Sequence, residues 1–231
     1  MRSYRVLSIL FLRISIFDMK VLITLGPTQE PVDSVRYITN ASSGKMGSAL
    51  AKEAILRGYE TTIVSGPVDL RLPDRAKILP VRTAKEMIET SMDELRDNYD
   101  IFISTAAIAD YSPEAHPGKI KSNIKDLKII LKPNPKLTWL VRENFPGIFI
   151  VAFKAEYNVS EDKLIESARL KLERENLNLV IANDIKKSGF GSDTTEVYLI
   201  NKKNINYIPT DSKDNIAREI WEIIDREMKG G

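Results

Sequence analysis

The sequence contains no cysteine and a single histidine, His116. Disulfides, thiolate nucleophiles and zinc sites with cysteine ligands are therefore excluded, and a Ser-His-Asp triad or multi-histidine metal site would have to use His116. An Mg²⁺ site built only from oxygen ligands remains open. We expect His116, which lies between Ala115 and Pro117, to be part of a loop surface and not a catalyst.

Excess charge of one sign is also absent. The 34 basic and 32 acidic residues leave a net charge of +2, so nothing indicates the basic face that a nucleic-acid partner requires. In 231 residues, a hydrophobic fraction of 43% is enough for a full core, and 29% charged residues indicate a soluble surface. This length suits one α/β domain, with or without an appendage.

No apolar run is long enough to span a bilayer. Residues 6–17 resemble a signal peptide, but Arg13 interrupts the run and no small-x-small cleavage site follows it. Met19 stands directly before a strand pattern, "KVLITL". We interpret residues 1–18 as an extension and residues 19–231 as a single domain, and we expect it in the cytoplasm without a membrane partner.

Short apolar runs bounded by turn residues alternate with helical segments, which predicts a doubly wound, Rossmann-like α/β fold. We expect a mostly parallel sheet, helices on both faces and a hairpin over residues 197–208 around "NKKN". The predicted strands are Lys20–Leu25, Thr61–Ser65, Lys77–Pro80, Ile101–Ser104, Ile148–Phe153 and Leu179–Ala182. The predicted helices are Gly44–Arg57, Ala84–Asn98, Pro135–Glu143, Ser160–Glu175 and Ser212–Met228.

Ligands of such sheets bind beyond the carboxyl ends of the strands, so the loops after the strands are informative. Two connections are unusually long: residues 26–43 after the first strand and about residues 107–127 after the fourth. Long loops in a compact domain are usually functional or disordered, and we favour function for both.

The stretch "NASSGKMG" (40–47) enters the first helix, and a helix N-terminus offers free N–H groups to an anion. It does not fit the Walker pattern, which needs Gly at Thr39 and Ser or Thr at Met46. It also fails the G-x-G-x-x-G pattern, which needs Gly at Ser42. Gly44 and Gly47 permit close approach of a ligand and of the sheet.

Within this stretch, Ser42 and Ser43 either cap the helix or bond a phosphate oxygen, so the alternative is a plain serine cap with two packing glycines. We expect Lys45 to be an outward-facing surface residue. On the long loop before it, Arg36 can pair with a carboxylate or phosphate and Asn40 can orient an acyl group. Both also suit ordinary loop hydrogen bonds.

Other loops carry weaker candidates. Small residues such as Ala106 allow a planar group near the backbone, and Asp110 could hold a ribose hydroxyl or Mg²⁺. Lys119 and Lys121 either close over a phosphate or belong to an exposed basic hairpin within "KIKSNIKDLKIILK". Phe153 either fills the core or packs a base.

At the ends of the next strands, Glu156 is a candidate metal or hydroxyl ligand. Asn183 and Asp184 anchor either a loop or the ligand. "SGFGSD" (188–193) is interpreted as a structural turn.

Together, "VRYITNASSGKMG", "AAIADY", "GKIKS", "FKAEY", "NLNLVIANDI" and "GFGSDTTEVYLI" resemble the phosphopantothenoylcysteine synthetase family over about residues 20–225. That resemblance implies a ligase. The carboxylate of 4′-phosphopantothenate attacks the α-phosphate of a nucleoside triphosphate, and cysteine then displaces the nucleotide to form an amide. It also implies Mg²⁺, a homodimer, and a free-standing synthetase without the flavin-binding decarboxylase half.

The resemblance assigns catalytic roles to Asn40, Arg36 and Lys119, the last on a mobile flap, and a contact on the next helix to Lys171. The nucleotide-binding residues it implies are Ser42, Ser43, Gly44, Gly47, Ser104, Thr105, Ala106, Asp110, Pro135, Lys136, Leu137, Thr138, Phe153 and Lys171. Three departures from the bacterial pattern, Ser122, Lys154 and Glu175, bear on the choice between CTP and ATP, and we favour CTP.

Two other classes compete. An NAD(P)-dependent oxidoreductase predicts G-x-G-x-x-G after the first strand and an acidic residue ending the second, but the sequence there reads "GPTQEP" and "VSGP". A non-catalytic nucleotide-binding module would not need the long loop with Arg36 and Asn40.

Overall fold

A computed structural model of the chain describes residues 19–123, 125–189 and 191–229. The predicted extension, residues 1–18, lies outside the described residues. The elements are β1 (Lys20–Leu25), β2 (Gln29–Pro31), β3 (Tyr37–Thr39), α1 (Lys45–Leu56), β4 (Glu60–Ser65), β5 (Lys77–Pro80), α2 (Ala84–Glu94), β6 (Ile101–Ser104), β7 (Tyr111–Pro113), β8 (Leu131–Pro133), α3 (Leu137–Asn144), β9 (Phe149–Glu156), α4 (Glu161–Arg174), β10 (Leu179–Asp184), α5 (Ile185–Ser188), β11 (Thr194–Ile200), β12 (Ile205–Ser212) and α6 (Lys213–Lys229).

The main sheet has eight strands in the order β12-β11-β10-β9-β6-β1-β4-β5. Strand β1 pairs in parallel with β4 on one side and β6 on the other. Strand β11 pairs antiparallel with both of its neighbours, β10 and β12. The chain therefore builds outward from β1 in both directions, which confirms the predicted doubly wound, Rossmann-like sheet and its hairpin.

Each face of the sheet has its own apolar layer, because successive side chains of a strand point to opposite faces. Val21 and Ile23 of β1 pack with α1 and α6, where Trp221 is fully buried. Leu22 packs on the other face with buried residues of α2, α3 and α4. The two layers cover the sheet on both faces, and the loops that follow the strands form the site.

Two local signals proved accurate at helix ends. Thr83 caps α2 in a capping box with Glu86, and Gly58, at φ 90°, follows α1 in the left-handed conformation that glycine tolerates. Helix α2 is shorter than predicted and passes into a 3₁₀ turn at Leu95–Asp97.

Other boundaries were wrong in an instructive way. Strands β9 and β10 continue pairing to Glu156 and Asp184, beyond their apolar runs. The short sheets β2–β3 and β7–β8 were not predicted. The alternative of a hairpin within residues 119–132 is also wrong, because β8 pairs with β7 and not with a strand of its own segment. No described helix combines the length and the apolarity needed to cross a bilayer.

Candidate active site

A cleft of about 890 Å³ opens at the carboxyl ends of β6, β9 and β10, where the N-terminus of α1 faces it. This is the edge at which the fold predicts a ligand, and the volume suits a molecule of nucleotide size. The structure brings most of the predicted site residues to this cleft: Asn40, Ser42, Ser43, Gly44, Gly47, Ser104, Thr105, Ala106, Asp110, Pro135, Lys136, Leu137, Thr138, Phe153 and Lys171.

The entry to α1 differs from a plain serine cap. The N-cap residue is Gly44, at φ 74°, and no side chain caps the helix. The interpretation of Ser42 or Ser43 as the cap is therefore wrong, and both residues line the cleft. Because the amides of a first helical turn have no partner within the helix, they remain available to an anion.

Gly47 sets how close α1 lies to the sheet. A Cβ at this position would stand 2.4 Å from the Thr105 hydroxyl oxygen and 2.5 Å from the Leu25 Cβ, distances that real atoms do not adopt. The glycine therefore serves packing, because it lets the helix N-terminus lie directly against the end of β1 and the loop after β6.

Lys45 is not the outward-facing residue we expected. Its Nζ donates to the Gly191 carbonyl at 2.8 Å and to the Asp193 carboxylate at 2.6 Å, and Lys45 and Gly191 both line the cleft. The pairing with Lys45 lowers the pKa of Asp193. Gly189 and Gly191, which the sequence assigned to a structural turn, thus line the cleft.

Lys213 adds a second cation to the same corner. It is half-buried at the start of α6, and its backbone N–H donates to the Asp193 carbonyl. Burial lowers the pKa of its amine, and the nearby charge of Lys45 lowers it further. The two lysines face one carboxylate, so the corner carries a net positive charge suited to an anion.

Asn40 joins the two long loops. Its amide nitrogen donates to the Ala107 carbonyl at 3.1 Å, and the Thr28 N–H donates to the same oxygen. Next to this contact, Pro27 and Ala107 pair in an isolated parallel β-bridge. The Asn40 side chain is largely exposed to the cleft, so its amide is accessible to a ligand.

Two predicted nucleotide contacts pair with each other: the Lys136 Nζ donates to the Asp110 carboxylate at 2.5 Å. Within the described part of the chain, no group of three or more His, Asp or Glu side chains could hold a metal ion. Asp110 is thus a carboxylate at the cleft that belongs to no such group. That fits Mg²⁺ of the kind held by one carboxylate and substrate phosphates, and not a dedicated protein cage.

The α4 side of the cleft carries paired charges. The Lys171 Nζ lies 2.8 Å from both carboxylate oxygens of Glu175, which also accepts a hydrogen bond from the Thr138 hydroxyl. Lys154 pairs with Glu156 at 2.9 Å and lowers the pKa of that carboxyl. Two of the three departures from the bacterial pattern, Lys154 and Glu175, thus lie at the cleft.

The remaining candidate residues fall into two groups, those that line the cleft and those that do not. Phe153 and Asn183 line the cleft, whereas the buried Asp184 accepts backbone N–H groups and anchors a loop. His116 is exposed, as expected for a loop residue.

Arg36 and Lys119 are not brought to the main cleft. Arg36 pairs with Asp33, and Lys119 lies in a separate, shallow groove of about 410 Å³ formed by residues 119–123.

Sequence reasoning missed Trp139 and Leu170, two cleft residues that remain about half exposed, at 50% and 52%. It also missed Lys213. Lys213 opens an amphipathic helix near the end of the sequence, and nothing in its local sequence indicates a cleft. The sequence signal for Trp139 is its place close after the "PNPKL" stretch, some of whose residues were already candidates for the nucleotide.

Comparison with known proteins gives a consistent result. The model of the DNA/pantothenate metabolism flavoprotein C-terminal domain family matches residues 16–228. The chain is 39% identical over 216 residues to the coenzyme A biosynthesis bifunctional protein CoaBC of Thermococcus kodakarensis, covering 93% of this chain and 53% of that protein. It is 41% identical over 210 residues to the CoaBC protein of Methanocaldococcus jannaschii, covering 91% and 51%.

The fold is shared with solved structures as well. The crystal structure of the C-terminal domain of a CoaBC protein superposes with a TM-score of 0.77 at 31% identity, covering 93% of this chain and 97% of that one. The chain spans about half the length of the curated relatives it matches. With a family model matched over nearly all of its length, the chain belongs to the DNA/pantothenate metabolism flavoprotein C-terminal domain family.

Proposed function

We propose that this chain is a phosphopantothenate–cysteine ligase. The observation that carries the proposal is the motif "RYITNASSGKMG", which lays Asn40, Ser42, Ser43 and Gly44 along a nucleotide-sized cleft at the N-terminus of α1. Relatives with the same domain are named for coenzyme A biosynthesis, which agrees with this substrate class.

The reaction has two steps. A carboxylate oxygen of 4′-phosphopantothenate forms a bond to the α-phosphorus of the nucleotide, and pyrophosphate leaves with the electrons of the broken P–O bond. The cysteine amine then attacks the acyl carbon, the nucleoside monophosphate leaves, and the amine loses a proton.

The first step brings two anions together, so the site must supply positive charge and N–H donors where negative charge develops. The first-turn amides of α1 supply donors, and Lys45 with Lys213 supplies charge at the same end of the cleft. The Asn40 amide orients the acyl group, and holding both substrates in line lowers the barrier further. Lys119 lies on the flap, the loop of residues 116–126, and Lys119 and Arg36 act on the substrates from the side of that loop.

Mg²⁺ is part of the proposal, held by the triphosphate with Asp110 as the protein carboxylate. When bound, it neutralises charge on the phosphate oxygens. We propose CTP as the nucleotide, with ATP as the alternative, and no flavin. The ion-paired side chains Lys154, Lys171 and Glu175 line one side of this cleft and are the candidates for choosing between the bases.

We also propose a cytoplasmic homodimer. Large apolar side chains are exposed near β3 and β8, and they include Val35 at 61% and Ile130 at 80%. Clusters of exposed apolar residues mark interaction sites, which supports a self-association surface on this side of the molecule. Replacing Ile130 by Glu should shift the molar mass in light scattering from dimer to monomer; an unchanged mass would exclude this surface.

The function is tested by incubating purified chain with Mg²⁺, 4′-phosphopantothenate, cysteine and each of the four nucleoside triphosphates. We expect the amide product by mass spectrometry, fastest with CTP, and pyrophosphate release only when 4′-phosphopantothenate is present. Absence of the amide with every nucleotide would reject the ligase. A faster reaction with ATP than with CTP would show that the choice of nucleotide is wrong and would leave the ligase proposal standing.

A further inference from the structure

Asp33 is a buried carboxylate, 4% exposed, in the long loop after β1. Its Oδ1 accepts the backbone N–H groups of Val35 at 2.8 Å and Arg36 at 2.7 Å. Its Oδ2 accepts the backbone N–H of Ile120 at 3.0 Å, from a residue 87 positions away. One carboxylate therefore connects two segments that are remote in sequence.

Further hydrogen bonds join the same two segments. The Ser34 N–H donates to the Gly118 carbonyl at 3.3 Å, and the His116 N–H donates to the Val32 carbonyl at 2.9 Å. The Arg36 guanidinium donates through Nη2 to the Ile120 carbonyl at 3.1 Å and places Nη1 3.4 Å from the Asp33 carboxylate. Residues 116–120 are thus held along residues 32–36.

The chemistry requires a carboxylate at position 33. A buried charge is stable only where hydrogen bonds and an opposite charge compensate it, and here three N–H donors and one guanidinium do so. An ionised carboxylate only accepts hydrogen bonds, on both oxygens, whereas an amide offers one acceptor and one donor group. An Asn at this position would place an NH₂ group against either the Ile120 N–H or the N–H groups of its own loop.

We propose that Asp33 is a positioning residue that fixes Arg36 and the base of the flap, residues 116–120, as one unit. Lys119 precedes Ile120, so its backbone is set by the same carboxylate that holds Arg36. The part of the flap that this carboxylate does not hold then begins after Ile120, in residues 121–126, which are exposed wherever the structure describes them. The catalytic meaning of this unit rests on the proposed ligase function; the docking itself does not.

The first test measures docking without catalysis. In hydrogen exchange of the full chain, Asp33→Asn should raise the exchange rate of the Ile120 amide at least tenfold, while amides of β1 keep their protection. Asp126→Asn is the matched control, because Asp126 is exposed on the far part of the flap. Unchanged exchange at Ile120 would overturn the proposal, whether or not the chain is a ligase.

The second test measures the kinetic consequence. Asp33→Asn should lower kcat/KM for the nucleotide at least tenfold, and adding Lys119→Gln to it should cost little more, because the first change already displaces Lys119. Fully additive losses would contradict the positioning role. If wild type makes no amide, the ligase proposal fails while the exchange result stands.

A second variant covers the case in which Asp33→Asn does not fold. Gly118 has φ 80°, and a Cβ there meets nothing within 4 Å, so Gly118→Ala strains only the turn of the flap base. It should raise exchange at Ile120 and lower kcat/KM in the same direction. A wild-type exchange rate together with wild-type kinetics in this variant would also overturn the proposal.

Discussion

Lys45 and Asp193, 148 positions apart, form an ion pair of 2.6 Å between the Nζ and Oδ1 atoms at the mouth of the cleft. The pair ties the first turn of α1 to the turn that follows α5. It also places the Asp193 carboxylate beside Lys45 and Lys213, the cations that we propose for binding a polyphosphate. The carboxylate therefore neutralises part of the positive charge there and also holds Lys45 in position.

We expect Asp193→Asn to tighten nucleotide binding, because it removes a negative charge that opposes the phosphates and competes for Lys45. The KM for the nucleotide should fall roughly two- to fivefold, the size of one exposed charge interaction, and the effect should fade as salt is added. Steady-state kinetics across ionic strength measures it. The unfolding temperature should stay unchanged, since the Asp193 side chain is 86% exposed.

The control is Asp74→Asn, which breaks an exposed ion pair with Arg71 at 2.7 Å, away from the residues that line the cleft. This control should leave the KM unaltered. A higher KM in Asp193→Asn would mean that the pair holds Lys45 in its working position and does not compete for it.

We expect Asn40→Asp to lower kcat by about 10²- to 10³-fold, the usual cost of losing one donor at a developing charge. The change keeps the size of the side chain and turns a donor into a second acceptor. Thermal unfolding should shift little, because the hydrogen bond that the variant loses, from Asn40 to the Ala107 carbonyl, is exposed to solvent. Asn206→Asp, on the exposed part of β12, is the control for charge alone; an unchanged kcat in Asn40→Asp would refute the role of its amide.

We expect Gly47→Ala to destabilise the protein. Overpacking against Thr105 and Leu25 costs roughly 1–3 kcal/mol, and the better helix propensity of alanine returns about 1 kcal/mol. Urea unfolding measures the difference. Gly147→Ala is the control, because a Cβ there meets nothing within 4 Å. Equal stability of the two variants would show that α1 can move away from the sheet at no cost.

Of the two tryptophans, Trp221 is fully buried and donates to the Leu50 carbonyl, whereas Trp139 is half exposed at the cleft. We expect nucleotide binding to change the emission of Trp139 alone. A fluorescence titration should therefore give a saturable signal in wild type and none in Trp139→Phe. A full signal in that variant would place the nucleotide away from α3.

Asp184 accepts the backbone N–H groups of Asn158, Val159 and Lys186, and the bond from Asn158 contributes most to lowering its pKa. A lowered pKa in the folded state stabilises the fold fully above the ordinary value of 3.8, and this stabilisation is lost as the pH falls through the folded-state pKa.

At pH 7, wild type should therefore unfold at a higher temperature than Asp184→Asn. This gap in unfolding temperature should narrow as the pH falls below 3.8. Calorimetry from pH 7 to pH 3 measures it. Asp69→Asn, on an exposed loop residue, should show no such gap. A gap that stays constant with pH would show that the lost contact is not that of a charged carboxylate.

The sequence predicts the main sheet well because its signals are local. Each buried strand is a contiguous apolar run, and Thr83 and Gly58 mark helix ends through contacts within one turn. The three-residue strands β2, β3, β7 and β8 carry no such run, and each pair forms within one segment, β2 with β3 and β7 with β8. The two long loops are joined by other contacts of long sequence separation, such as the Ile120 N–H to the Asp33 carboxylate, which no window of sequence contains.

The site residues show the same contrast between local signals and contacts of long sequence separation. Residues after strand ends, such as Asn40, Thr105 and Phe153, were placed at one edge by the topology alone, and they line one cleft. Lys45 could not be placed, because its partner Asp193 comes from the far end of the sheet. The docking of Arg36 beside the flap likewise depends on Asp33 and Ile120, whose contact spans 87 positions.

The hydrogen bond from Trp221 to Leu50 has a consequence for how the molecule assembles. It spans 171 positions and packs α6 on the helix whose first turn faces the cleft. Contacts of such long sequence separation cost little extra in loop-closure entropy but slow the search for the folded state. The orientation of the anion-facing turn is therefore fixed only once the chain has closed its largest loops, so ligand binding should be among the last properties to return on refolding.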